Sequence, residues 1–225
     1  MAKINLARRA EIGQEKRART RGQLLAAARA LFAARSWASV TIDDLVREAG
    51  VAKGTFYVHF EDMQALTVAV ADDLISEFDE LIQPERTSGS NPLLRIALGC
   101  NAFIEAALDD PTWGSLVARM ARSYPSVGET ARARLREDLA EALKESPAPG
   151  LSLTLALEVV VGVVLQTVLA IGEGRLTRGD RPGAVATALG AVGVGRARAA
   201  SVLAQLERTR VASRRTMRSA QSGRS

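Results

Sequence analysis

Residues 41–66 read TIDDLVREAGVAKGTFYVHFEDMQAL, and the stretch 50–60, GVAKGTFYVHF, crowds three aromatics and the chain's only histidine beside a lysine and a threonine. A segment built only for a core would not carry so many hydrogen-bonding groups. One built only for solvent would not carry Phe56, Tyr57 and Phe60. Thr41 with Asp44 three places on sets acids at the positive end of a short helix, and Gly50 suits a left-handed exit from it. Residues 52–59 form another short helix by the same reading, and a longer one starts at Glu61. Upstream, TRGQLLAAARALFAAR (20–35) pairs Thr20 with Gln23 in a capping-box pattern and spaces Leu24, Ala28, Leu31 and Phe32 helically. Trp37 and Val40 in the connector after it read as core plugs.

Three short helices and a long one, with the second and third joined through EAGVA, predict a helix-turn-helix. Ile42, Leu45, Val46, Val51 and Phe56 can point inward. Lys53, Thr55, Tyr57, Val58 and His59 then ring the rest of a very short helix. These side chains suit phosphates and base edges, so the polar side is expected to face DNA. Tyr57 has the alternative of a core tyrosine, but the two phenylalanines already fill the inward side. Gly54 has the alternative of a simple allowance for close backbone approach.

The 225 residues are 47% hydrophobic and 24% charged, in the range of an ordinary soluble globular protein of one or two domains. Aromatics are scarce and no strand-like alternation bounded by turns occurs, so the fold class is all-α. Charge is uneven. Residues 1–29 carry eight bases against two acids and residues 208–225 carry six arginines and no acid, so a net +5 leaves −7 for the middle. Two basic ends on an acidic body point to a polyanionic partner, with plain solvation of the tails as the alternative. One cysteine, Cys100, forms no internal disulfide, and no secretory signal opens the sequence, so a cytoplasmic setting is expected. With a single histidine and a single cysteine far apart, neither a metal centre nor a catalytic constellation has support, so no cofactor, no metal and no enzymatic activity are expected.

The stretch TIDDLVREAGVAKGTFYVHFEDMQAL resembles the signature of the tetracycline-repressor (TetR) family of bacterial regulators. The resemblance runs through Thr41, Asp44, Ala49-Gly50-Val51, Gly54-Thr55-Phe56-Tyr57, His59-Phe60 and Ala65-Leu66, and covers roughly residues 20–70. It implies that helix 52–59 enters the major groove, with Lys53, Gly54, Tyr57 and Val58 near bases or adjacent backbone. Thr41, Thr55 and His59 would donate to phosphates. Arg21, with Arg17 and Arg19, sits where a basic arm over residues 1–19 would follow the backbone or reach a minor groove. Two departures weaken familiar contacts: Met63 stands where the family often has a lysine, and Ala52 where it often has a serine. Glu61 and Asp62 suit the start of the following helix instead.

The expected organisation is a basic arm (1–19), a DNA-binding domain (20–66) linked through helix 61–82, an effector-binding and dimerisation domain (67–208), and a basic, disordered tail (209–225). The run PERTSGSNP (84–92) is the clearest break. Helices are expected near 93–109, 112–123, 127–145, 151–173 and 183–208. Residues 151–172 are apolar and about long enough to span a bilayer, but Glu158 and Gln166 on nearly one face argue for a protein interior or subunit interface and no membrane.

A module this small reads few base pairs, so a homodimer on a pseudo-palindromic operator is expected. Val159, Leu165 and Leu169 of the apolar helix would form the interface. The small-residue stripe Ala184, Ala188, Ala191, Gly195 and Ala199 would complete it, the alternative being that both helices fill one chain's core. Asn101, Phe103, Trp113, Met120, Tyr124, Glu158 and Gln166 are candidates to line a pocket for a small, apolar effector. Glu158 and Gln166 stand out because polar groups in so apolar a helix need partners: a ligand, another helix or the second subunit. The expected activity is transcriptional regulation, as a repressor released from its operator by that effector. The alternatives are a helical carrier or enzyme for a lipophile, and a membrane-associated adaptor, each with a non-functional helix-turn-helix.

Overall fold

In the computed structural model, residues 2–87 and 91–222 are described, with side-chain surroundings from Glu11 to Thr209 apart from residues 81 and 84–90, and for Arg8. The described residues form ten α-helices and two short 3-10 turns, with no strand among them. In order the helices are α1 (Ala2–Ala34), α2 (Ile42–Ala49), α3 (Lys53–His59), α4 (Met63–Thr87) and α5 (Pro92–Asp109). Then come α6 (Pro111–Ser123), α7 (Glu129–Glu145), α8 (Leu153–Gly172), α9 (Arg181–Ala191) and α10 (Arg196–Ser222). Two compact units divide within α4, Met1–Asp73 and Leu74–Ser225.

In the first unit, α2 starts in a capping box. Thr41 Oγ1 accepts from the Asp44 N–H at 3.2 Å, while the Asp44 carboxylate accepts from the Thr41 N–H at the same distance. Gly50 closes the helix with φ +66°, a left-handed turn that a side chain would strain. Leu24, Phe32, Val40, Leu45, Phe56, Phe60 and Leu66 are buried together with Val70. Trp37, expected to plug the core, is only half-buried.

The N-terminal arm is not loose. α1 runs without interruption from Ala2, and Thr20, expected to cap its start, lies mid-helix with its hydroxyl donating to the Lys16 carbonyl at 3.0 Å. Alanine, arginine, lysine, glutamate and glutamine dominate residues 2–20 and there is no proline, so nothing there stops a helix. For the same reason α10 continues to Ser222, where a disordered tail was expected. The side chains of Arg210, Arg214, Arg215 and Arg218 lie outside the described residues, as does Arg224. At the predicted break, α4 carries on through Pro84 to Thr87, since the proline removes one ladder bond from a helix already about six turns long.

The second unit is a bundle around α5, which packs against each of α6 to α10. Side-chain caps at Asn91, Asp110 and Ser152 start α5, α6 and α8. The single helix expected over 183–208 is two. The run GAVGVG (190–195) places Gly193 at φ +87° and lets the Val194 N–H reach back to the Leu189 carbonyl at 3.2 Å, a Schellman-type stop. By length and composition α8 could cross a membrane. In this fold Ala156, Leu157, Val160, Val168 and Ile171 are buried in the bundle core, and the rest of the helix is partly open.

Candidate nucleic-acid interface and effector cavity

Helix α3 has seven residues and begins at Ala52 without a side-chain cap. Alone it would not persist, because so short a helix cannot repay its nucleation. Phe56 is fully buried and Phe60 nearly so, their ring centroids 5.9 Å apart, and these two anchors hold it to the unit. Tyr57 meets Phe56 edge-on at 5.3 Å yet stays 53% exposed, and Val58 is 63% exposed. Lys53 and Gly54 share the exposed surface, while Thr55 and His59 are half-buried at its edges. A Cβ added at Gly54 would meet nothing within 4 Å. The glycine therefore answers no internal crowding and leaves the surface low at that point. Two exposed apolar side chains flanking a bare backbone suit a partner that approaches closely.

The polar surroundings are more tightly engaged than the sequence suggests. Lys53 Nζ lies 2.8 Å from Asp43 Oδ1, and this hydrogen bond and charge raise the lysine's pKa above its usual value. Thr41, expected to donate to a phosphate, instead donates its hydroxyl to Asp44 Oδ2 at 2.8 Å. That carboxylate also meets Arg35 at 2.7 Å, and the Thr41 hydrogen bonds, with Arg35 behind them, lower the Asp44 pKa to about 2. Thr41 thus acts as a helix cap in this state. Arg21 is exposed, its guanidinium 5.3 Å from the Phe60 ring centre. Asp62 Oδ1 accepts from the Ala65 N–H at 2.7 Å and so caps the start of α4. Sequence reasoning missed Asp43 as the partner of Lys53; a contact across ten residues leaves no periodic signal.

A cavity of about 100 Å³ lies in the second unit. Ile75, Ile96, Phe103, Val117, Leu135 and Val161 give it an apolar wall; Gly99 and Cys100 also line it. Three charged residues reach it, each engaged elsewhere. Asp79, 2% exposed, is ion-paired with Arg134. Arg95 Nε holds Asp138 at 2.6 Å and its Nη2 meets Glu141, while Arg132 pairs with Glu158.

Of the expected effector residues, only Phe103 lines this cavity. Trp113 stacks with Phe103 through Phe78, at 5.8 Å and 5.2 Å from the shared ring. Asn101 is buried, but its Oδ1 accepts from Arg181 Nη1 at 2.6 Å. Met120 is buried and Tyr124 half-buried, neither at the cavity. The partners of Glu158 and Gln166 are other helices of the same chain: Arg132 on α7, and Arg122 on α6 at 3.5 Å.

The expected dimer surface also changes. Ala188 and Ala199, 1% and 6% exposed, belong to this chain's own core and are not available to a second copy, while Leu165 is half-buried and lines the cavity. The helix break at Gly193 divides the supposed single stripe between α9 and α10. Val159, Leu169, Ala184 and Ala191 remain half-buried and Gly195 exposed. An open groove on α8 brings Val159 together with Gly162, Val163 and Gln166. Among the described residues no group of three or more metal-ligating side chains occurs.

Comparisons with known proteins agree with this architecture. The profile of the family described as bacterial regulatory proteins, tetR family, matches residues 24–70. The HTH-type transcriptional regulator EthR of Mycolicibacterium smegmatis is 26% identical over 110 residues, 47% of this chain and 49% of that protein. EthR of Mycobacterium tuberculosis is 32% identical over 69 residues, 31% of each chain. The matched stretch therefore spans half or less of these relatives' length. A crystal structure of RolR in complex with resorcinol superposes with a TM-score of 0.71 at 27% identity, covering 84% of this chain and 95% of RolR. The helix-turn-helix over residues 24–70 is thus that of the tetR family of bacterial regulatory proteins, and the fold around it is similar to nearly the whole of RolR.

Proposed function

We propose that the protein regulates transcription by binding operator DNA through α3 as a homodimer, and that a small apolar effector in the second unit's cavity releases it. The observation that carries the reading is α3 itself. Phe56 and Phe60 face inward, while Tyr57 and Val58 stand exposed around a bare Gly54 and beside Lys53. In the major groove Tyr57, Val58 and Lys53 would meet base edges and Gly54 would admit the backbone, with Thr55, His59 and Arg21 toward phosphates. The open groove on α8 supports pairing of two copies, which a pseudo-palindromic site requires. Such a protein works in the bacterial cytoplasm, on the nucleoid.

The cavity limits the effector. An engineered cavity of about 150 Å³ accepts benzene, so about 100 Å³ suits a single small ring or less without rearrangement. RolR's bound resorcinol supports that size class. The arginines of the wall already hold carboxylates, which favours an uncharged molecule over an anion. Selection of bound fragments from genomic DNA with purified protein tests the reading. A recurrent two-fold motif is expected, and recovery of random fragments would reject it.

A further inference from the structure

We propose that the N-terminal half of α1 is a second DNA-contacting surface, a stiff basic spar that lies along phosphates flanking the site read by α3; this rests on the DNA-binding reading above. α1 rises about 1.5 Å per residue, so its extension from Ala2 to Thr20 reaches about 27 Å beyond the part that packs in the unit. Arg8, Ile12, Lys16 and Arg19 follow one another at steps of four, four and three. They therefore fall on one stripe, about 16 Å long. Each of them is exposed, and Ile12 is 56% exposed.

In the second unit Arg95, Arg132, Arg134, Arg178 and Arg181 hold carboxylates, while Arg119, Arg136, Arg196 and Arg198 are ion-paired with none among the described residues. Among the described residues, no carboxylate is ion-paired with Arg8, Lys16, Arg17 or Arg19, although Glu11 and Glu15 stand on the same helix. Such a concentration of unneutralised charge on a solvent-facing row calls for a polyanion. An acidic membrane is the poorer match, since the row offers one apolar side chain where an interfacial helix needs a broad apolar face. Arg21, one turn beyond Lys16 and Arg17, rests on the Phe60 ring just past the C-terminal end of α3, which ties the extension to the module bearing α3. A helix of fixed direction spaces its charges for a backbone. It would not thread into a groove as a loose arm does.

The test compares wild type with the triple variant Arg8→Ala, Lys16→Ala, Arg19→Ala, on the selected site and on a scrambled duplex of equal length. Alanine keeps the helix, so a folding defect is not expected. Three lost phosphate contacts per protomer lower the slope of log affinity against log salt by about 2.7. Between 50 and 200 mM salt the variant then loses about 40-fold less affinity per protomer than wild type, with its sequence preference intact. An unchanged slope overturns the spar, as does a loss confined to the selected site. If wild type binds neither duplex, the DNA-binding reading itself fails; flotation of that protein with anionic vesicles, lost in the triple variant, would then assign the stripe to a membrane and overturn the spar.

Discussion

Tyr57→Ala separates reading from folding. The ring is 53% exposed and contacts Phe56 by its edge, so little apolar area returns to water when it is removed. A fully buried aromatic covers ~150–250 Å². About half of that, part of it backbone, corresponds to ~1–2 kcal/mol at ~25 cal/mol per Å². Alanine returns ~0.5 kcal/mol through its helix propensity. The net loss is about 1 kcal/mol, a fall in Tm of about 2–4 °C for a chain of this size. At an operator, a lost base contact costs ~1–3 kcal/mol, and two protomers double it, so affinity falls at least about 30-fold. Fluorescence anisotropy on the selected duplex at fixed salt, alongside thermal unfolding by circular dichroism, measures both. A Tm drop above about 8 °C with affinity unchanged would refute the reasoning, because it would mean that Tyr57 supports the fold and not the contact. Equal losses on selected and scrambled duplexes would refute the base-edge role.

Three further perturbations follow from particular contacts. Asp43→Asn releases Lys53, so affinity for scrambled DNA should rise and the salt slope should steepen by up to ~0.9 per protomer. The same change in a Lys53→Ala background should do much less, and equal effects in both backgrounds would show that Asp43 does not act through the lysine. The Asp44 pKa is depressed from its ordinary 3.8 to about 2, so the stability it contributes is present above pH 3.8 and is lost as pH falls toward 2. The Tm difference between wild type and Asp44→Asn should accordingly shrink across that window; a constant difference down to pH 2 would contradict the linkage. Gly99 lines the cavity, and a Cβ there meets nothing within 4 Å. Gly99→Leu should therefore stabilise α5 by about 1 kcal/mol and abolish effector release while DNA binding persists, checked by thermal unfolding and by release of labelled duplex.

The helix-turn-helix was legible because its signals are local. Thr41 and Asp44 stand three apart, Gly50 ends the helix between them and the next, and Phe56 and Phe60 repeat at four, so one window holds all the information. The cavity was not legible, since its wall draws on Ile75, Gly99, Val127 and Val161 from separate parts of the chain. Polar residues in an apolar helix signalled a need for partners, and of the three kinds expected it is other helices that the structure supplies. Glu158 and Gln166 find arginines on α7 and α6, and a pairing across 26 or 44 residues has no sequence period. The break at Gly193 was visible as three glycines in GAVGVG, but the alanine stripe through it outweighed them. At the ends, high charge suggested disorder, although arginine and alanine together are strong helix formers.

Helix α3 owes its place to Phe56 and Phe60, and its outward residues contribute little to holding it there. Positions 53, 54, 57 and 58 can therefore be exchanged at small cost to the rest of the molecule. A duplicated copy of such a gene could drift toward a new target sequence through a handful of codons, without first having to acquire reserves of stability.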